Sequence, residues 1–304
     1  MPSFFNLRSL AAAVALSAAT ACSHVAPATP VSRAETVLGR ISVRHVGSGP
    51  DVVLIHGLGG STKVWTKTLK SLPRNYRVHL VQIAGFGGAS ARANADGPVL
   101  DPVVDELARY IRSSAKGRAK LVGHSMGGAI ALRLAHRHPE LVGAVMVVDM
   151  VPNLGSVAVP QVPASAIPKI AEGARRQWLS LSDQERATRN EANLKTMMIS
   201  DRERAATLND MGRSDPRAFA QGLHDLLSLD QRPGLSSIKV PVTIVYAPGQ
   251  NVVGFSPRDA DSIYRDSYAD LPEKRLVPVP GALHMIMHDQ PLLFVRELKR
   301  FLKN

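Results

Sequence analysis

The sequence predicts an α/β fold, a mostly parallel sheet with helices on both faces, interrupted by one all-helical insertion. Three observations lead there. Short continuous apolar runs, at 51–55, 144–148 and 242–246, read as strands covered on both faces. Amphipathic stretches of helical period separate such runs, and strand and helix in alternation imply parallel pairing through crossover helices. From 151 to 237 the strand-like runs vanish, three or four helical stretches replace them, and Pro152, Pro160, Pro163 and Pro168 make the entry irregular. With 304 residues, 45% of them hydrophobic, the chain has enough material for one large core.

The N-terminal stretch stands apart from this pattern. Residues 1–21 carry one charge, Arg8, and end in a run of apolar and small residues that is too short to cross a bilayer, the pattern of a signal peptide. Cys22, the only cysteine, follows at once, so no intramolecular disulfide can form. Leu16-Ser17-Ala18-Ala19-Thr20-Ala21-Cys22 resembles a bacterial lipoprotein signal, although Ala19 stands where that pattern usually has leucine. The resemblance implies export, to the periplasm or onto a membrane through lipidated Cys22. Residues 22–35, rich in Ala, Pro, Thr and Ser, read as a flexible tether.

The remaining elements follow in order. Residues 37–46 alternate loosely, with Ile41 and Val43 on one face, as an early edge strand does. After the turn at 47–50 the strand at 51–55 runs into His56-Gly57-Leu58-Gly59-Gly60-Ser61, where Ser61 can cap a helix over 63–72. A strand at 76–83 and a glycine-rich loop at 84–88 come next. A helix over 101–114 opens on Asp101-Pro102, aspartate at the cap and proline at the first helical position. Then come a strand at 119–122, a helix to 138 closed by Pro139, and a strand at 144–148 ending at Asp149. Within the insertion, helices are expected over 167–179, 182–199 and 216–227. The alternation then resumes with 242–246, a helix over 257–269, a strand at 274–279, a loop carrying His284, and a last helix over 291–302. The expected division is a sheet core of 36–150 and 238–304 with a helical cap of 151–237.

Composition excludes some function classes. Net charge is +12, but the lysines and arginines are scattered with no run of five or more, as solvated helix faces are. No basic stretch interleaved with aromatics suggests nucleic acid as a partner. No His/Cys cluster has metal-ligand spacing, and no cofactor is implied.

The residues at 119–128 carry the chemistry. Gly123-His124-Ser125-Met126-Gly127 fits G-x-S-x-G between an apolar run and a helical pattern, the strand-turn-helix context in which a serine is held out at a sharp turn. Ser125 is a weak nucleophile at its free pKa and needs a neighbouring base. His284, after the last strand, is the candidate, with His288 and His124 as rivals; His124, inside the turn, reads as packing beneath the serine.

Four segments, His56-Gly57-Leu58-Gly59-Gly60, Gly85-Phe86-Gly87, Gly123-His124-Ser125-Met126-Gly127-Gly128 and Gly281-Ala282-Leu283-His284 with Asp289-Gln290-Pro291, make residues 36–304 resemble the α/β-hydrolase family in motif order and spacing. The resemblance implies an eight-stranded sheet, a helical cap after the sixth strand, and a Ser, acid, His triad in that chain order. It implies an oxyanion hole from the backbone N–H groups of Leu58 and Met126, with His56 supporting the loop. It also exposes a departure. Most members carry the acid just after the seventh strand, and here Tyr246-Ala247-Pro248-Gly249-Gln250-Asn251 holds none. Some members place it after the sixth strand, where Asp149 lies; Asn251 or Gln250 could instead orient the histidine without charge.

The resulting expectation is a serine hydrolase of a carboxylic ester or lactone, acting through an acyl-enzyme on Ser125 with His284 as base. Trp178, Met197, Met198, Met211 and Leu226 in the cap are apolar candidates for the acyl pocket. A thioesterase or peptidase of the same fold is an alternative. So is a non-catalytic ligand-binding protein on a decayed hydrolase scaffold, which the missing acid motivates.

Overall fold

The computed structural model describes residues 35–248 and 260–304. The expected leader, Cys22 and most of the tether lie outside the described residues, as do Gln250 and Asn251. Eight strands form one sheet: β1 (Glu35–Val37), β2 (Ile41–Val46), β3 (Asp51–Ile55), β4 (Arg77–Ile83), β5 (Ala119–His124), β6 (Val142–Val148), β7 (Val242–Tyr246) and β8 (Lys274–Pro278), in spatial order β1-β2-β4-β3-β5-β6-β7-β8. β1 and β2 pair antiparallel, β2 pairs antiparallel with β4, and all pairs from β4 across to β8 are parallel.

Strand residues alternate between two cores. Val53 and Ile55 of β3 face α2 (Leu100–Ser114) and α3 (Met126–Arg137), where Val103, Leu107, Ile111, Ile130 and Leu134 are fully or almost fully buried. Val52 and Leu54 face the opposite layer, built by α1 (Thr66–Ser71) and the C-terminal helix Pro291–Lys303. There Trp65 stacks on Phe294 with centroids 6.2 Å apart.

Between β6 and β7 the chain forms helices only: α4 (Leu154–Ala158), α5 (Ile167–Ser180), α6 (Asp183–Met197), α7 (Asp201–Gly212), α8 (Pro216–Ser228) and α9 (Arg232–Leu235). They sit over the carboxyl ends of the strands, held by bonds that cross from one part of the chain to the other. Asp215 N–H donates to the Gly85 carbonyl at 2.8 Å. The Asp210 carboxylate receives Lys63 Nζ at 2.8 Å and Ser61 Oγ at 2.5 Å.

One expected cap is different. Asp101 does not cap α2, which starts a residue earlier; its carboxylate pairs with Arg133 at 2.8 Å. The free N–H groups of Val99 and Leu100 instead donate to Asp225 Oδ2, at 2.7 and 3.1 Å, from α8. The first four N–H groups of any helix need acceptors, and here tertiary structure supplies one. After β7 come α10 (Ala260–Ser267), α11 (Ile286–Asp289) and α12 (Pro291–Lys303). No helix among the described residues is long and apolar enough to cross a membrane.

Candidate active site

The strand order reverses between β3 and β5: the chain leaves β3 to one side and returns to its other side. In open α/β sheets ligands bind at such a switch point, beyond the carboxyl ends of the strands. Ser125 follows β5 there, and the loop carrying Leu58 follows β3.

β5 ends at His124 and α3 begins at Met126, so Ser125 alone makes the turn. Its backbone sits at φ 53°, ψ −123°, a region that residues with a Cβ avoid. Such a conformation costs about 1–3 kcal/mol and persists only where neighbours over-determine it. Here Ser125 N–H donates to the Val148 carbonyl at 2.9 Å, while its own carbonyl accepts from Gly128 N–H at 2.7 Å and Ala129 N–H at 3.2 Å. The flanking glycines follow from close approach. A Cβ on Gly123 would lie 2.0 Å from the Gly127 carbonyl oxygen, and one on Gly127 would lie 2.2 Å from that of Ile55.

The loop after β3 is organised by His56, which is fully buried. Its Nδ1–H donates to the Gly57 carbonyl at 2.8 Å, which leaves Nε2 to accept from Ile83 N–H at 3.1 Å and the Gln82 amide at 3.2 Å. Burial pulls its pKa down to about 4, so the ring is neutral at neutral pH, as that pattern requires. The Gly57 carbonyl also accepts Gly60 N–H at 3.1 Å, closing a tight turn around Leu58. The N–H groups of Leu58 and of Met126, the first residue of α3, make no hydrogen bond to protein among the described residues. Two unspent donors at a loop and a helix N-terminus are what a developing oxyanion needs.

His284 and Asp149 meet behind Ser125. His284 Nδ1 lies 2.7 Å from Asp149 Oδ2, and both residues are buried. Asp149 itself is at φ 50°, another strained position at a strand end, with its N–H on the Val245 carbonyl at 2.8 Å. Its second oxygen, Oδ1, accepts Ala247 N–H and the Tyr264 hydroxyl, each at 3.0 Å. Burial, and then the charge of Asp149, hold the Tyr264 phenol well above its usual pKa, so it remains a donor. The three hydrogen bonds use both carboxylate oxygens and leave Nε2 of His284 as the free ring nitrogen.

The His284 loop is held from three sides. His284's carbonyl accepts Nε2–H of His124 at 3.0 Å, with the two rings 4.6 Å apart. Burial, and next the proximity of His284, push His124 well below the usual histidine pKa. Leu283 N–H donates to Asp289 Oδ2 at 2.9 Å, and Met285 N–H to the Met197 carbonyl at 3.1 Å. Sequence reasoning did not single out Tyr264. Its available signal was the Tyr264/Tyr268 pair one helical turn apart, which gives an apolar face two polar tips. His288 lies near Glu203 at 3.5 Å instead of at the serine.

Above Ser125 lies a cavity of about 440 Å³, between the Leu58 loop, the His284 loop and the cap helices. Trp178, Met197, Met211 and Leu226 line it. Met198 does not. It ends α6 in an extended conformation and is fully buried in the core beneath the sheet's α1/α12 face, because the chain turns there toward Asp289, whose Oδ1 accepts Ile199 N–H at 3.0 Å. No group of three or more His, Cys, Asp or Glu residues could hold a metal ion among the described residues.

Known proteins are similar to this chain in sequence and in fold. The chain is 27% identical over 278 residues to the pimeloyl-[acyl-carrier protein] methyl ester esterase of Aliivibrio fischeri, covering 84% of this chain and 95% of the relative. Among solved structures it is similar to an esterase from Exiguobacterium antarcticum (TM-score 0.73, 18% identity, 91% of this chain and 98% of that one). It is also similar to the enol-lactonase from Burkholderia xenovorans (TM-score 0.70, 17% identity, 89% and 100%). The family model described as alpha/beta hydrolase fold matches residues 50–291. With that match and the eight-stranded sheet, the chain belongs to the α/β-hydrolase family.

Proposed function

We propose that this protein is a carboxylic ester hydrolase that works through an acyl-enzyme on Ser125. The observation that carries the reading is the 2.7 Å contact between His284 Nδ1 and Asp149 Oδ2 beside a serine held at positive φ. Asp149 fixes the His284 tautomer with the proton on Nδ1, so Nε2 can act as base.

Ser125 Oγ attacks the ester carbonyl as its proton passes to His284 Nε2, and the carbonyl oxygen becomes an oxyanion facing the Leu58 and Met126 N–H groups. The tetrahedral intermediate collapses, the C–O bond to the alcohol breaks, and Nε2 returns the proton to the departing alkoxide. Water then repeats the sequence on the acyl-enzyme, releasing the acid and restoring Ser125. Among the described residues Ser125 Oγ makes no hydrogen bond to His284; in unliganded sites of this kind that contact often tightens only with substrate bound. The names of its relatives, methyl ester esterases, favour the ester class.

A fluorophosphonate probe tests the reading: wild type should label and Ser125→Ala should not. Absence of labelling in wild type, or equal labelling in Ser125→Ala, overturns it and leaves a binding role. Export, with attachment through Cys22, belongs to the same proposal. Metabolic incorporation of a labelled fatty acid into wild type but not Cys22→Ala tests it.

A further inference from the structure

We propose that the ester this site takes carries a free carboxylate, received by Arg189 on the cap. This rests on the ester-hydrolase reading above and names its substrate class. The charged groups lining the cavity are not equivalent. Lys63 is paired with Asp210 at 2.8 Å, and Asp210 is further engaged by Ser61. Glu203 is paired with Lys67 at 2.7 Å and faces His288 at 3.5 Å. That side of the cavity is internally neutralised.

Arg189, on α6, lines the same cavity, is half-buried, and has no hydrogen bond or ion pair among the described residues. The carboxylate one turn earlier, Glu185, is committed to the capping box with Ser182, and Arg189 reaches it only through longer-range attraction. A guanidinium drawn partly out of water with five donors unspent favours a planar anionic acceptor.

Trp178 lines the same cavity. Trp178, on α5, is almost fully buried against Phe219, with rings 4.3 Å apart, and its indole N–H has no acceptor. That nitrogen has almost no accessible surface, so Trp178 meets the cavity through its ring carbons and belongs with the apolar lining. Leu194, Met197 and Leu226, which also line the cavity, are apolar and suit the methylenes between ester and carboxylate. A few polar groups in an otherwise apolar cavity are the usual way a pocket fixes orientation.

The test is a substrate comparison within each protein variant. Methyl half-esters of dicarboxylic acids of increasing chain length are compared with neutral methyl esters of the same length. A second arm, acetyl esters of hydroxy acids, puts the carboxylate on the alcohol side. In wild type, kcat/KM for the best carboxylate-bearing ester should exceed that of its neutral counterpart by roughly ten- to a hundredfold, the range of a charge-assisted contact. Arg189→Gln should cut that ratio at least about tenfold, and Arg189→Lys should restore part of it. Because each ratio is taken within one variant, loss of folded protein cancels. A wild-type ratio near one, or a ratio unmoved by Arg189→Gln while neutral esters are hydrolysed, overturns the carboxylate proposal and leaves the esterase reading standing. Failure of every ester, with no labelling of Ser125, overturns both.

Discussion

Replacing Asp149 by asparagine should reverse the direction of the hydrogen bond that sets the His284 tautomer. In the structure Asp149 Oδ1 accepts two donors, Ala247 N–H and Tyr264 O–H, while Oδ2 faces His284 Nδ1 at 2.7 Å. An asparagine has one oxygen and one NH₂ group, and the two fixed donors claim the oxygen. The NH₂ then points at His284 Nδ1, which must accept, so the ring proton moves to Nε2, the nitrogen needed as base. A tautomer error of this kind costs up to about 10⁴ in kcat, which is about 5.5 kcal/mol of barrier at about 1.4 kcal/mol per tenfold. Stability should change little by comparison, because asparagine tolerates the φ of 50° that Asp149 adopts. The assay is p-nitrophenyl ester turnover of wild type and Asp149→Asn, with melting temperatures measured alongside. A folded Asp149→Asn that loses less than about tenfold refutes the tautomer argument and moves the orienting role elsewhere.

Three further outcomes are expected. Gly127→Ala places a methyl 2.2 Å from the Ile55 carbonyl oxygen, and backbone cannot yield as a side chain can, so it should destabilise by about 3 kcal/mol or more; an unchanged urea midpoint would contradict this. Asp225→Ala strips the acceptor from two N–H groups at the start of α2 and should cost about 1–3 kcal/mol in chemical denaturation, although it lies on a different part of the chain. Acid should weaken the fold through His56 and His124, buried neutral with pKa values held below 6.5. The unfolded chain takes up these protons near pH 6.5, so the stability is complete above that pH. It drains as pH falls toward the folded values, about 4 for His56, by up to about 1.4 kcal/mol per pH unit for each ring. Equal urea midpoints at pH 7.5 and pH 5 would contradict it.

What the sequence determined by itself is local or periodic. Apolar runs of strand length, helical spacing between them, and the disappearance of strands from 151 to 237 all follow from one-dimensional patterns that burial imposes on a chain. The Ser125 turn was legible for the same reason: a serine between two glycines, entered from a strand and left by a helix, leaves a local signature. His284 was singled out by its position after the last strand and, with Asp289-Gln290-Pro291 following it, by the resemblance to the family. Tertiary structure decided the relations between distant residues. Asp149 and His284 are 135 positions apart, and only strand order brings the end of β6 beside the loop after β8. No pattern near Asp225 reveals that it caps α2, and none near Asp101 reveals that Arg133 claims it. Met197 and Met198 are adjacent and chemically identical, yet one lines the cavity and the other is sealed in the opposite core, because the chain leaves its helix between them. Arg189 is one of many basic residues in the sequence; what distinguishes it is that its neighbours' carboxylates are already engaged, which is a property of three-dimensional pairing alone.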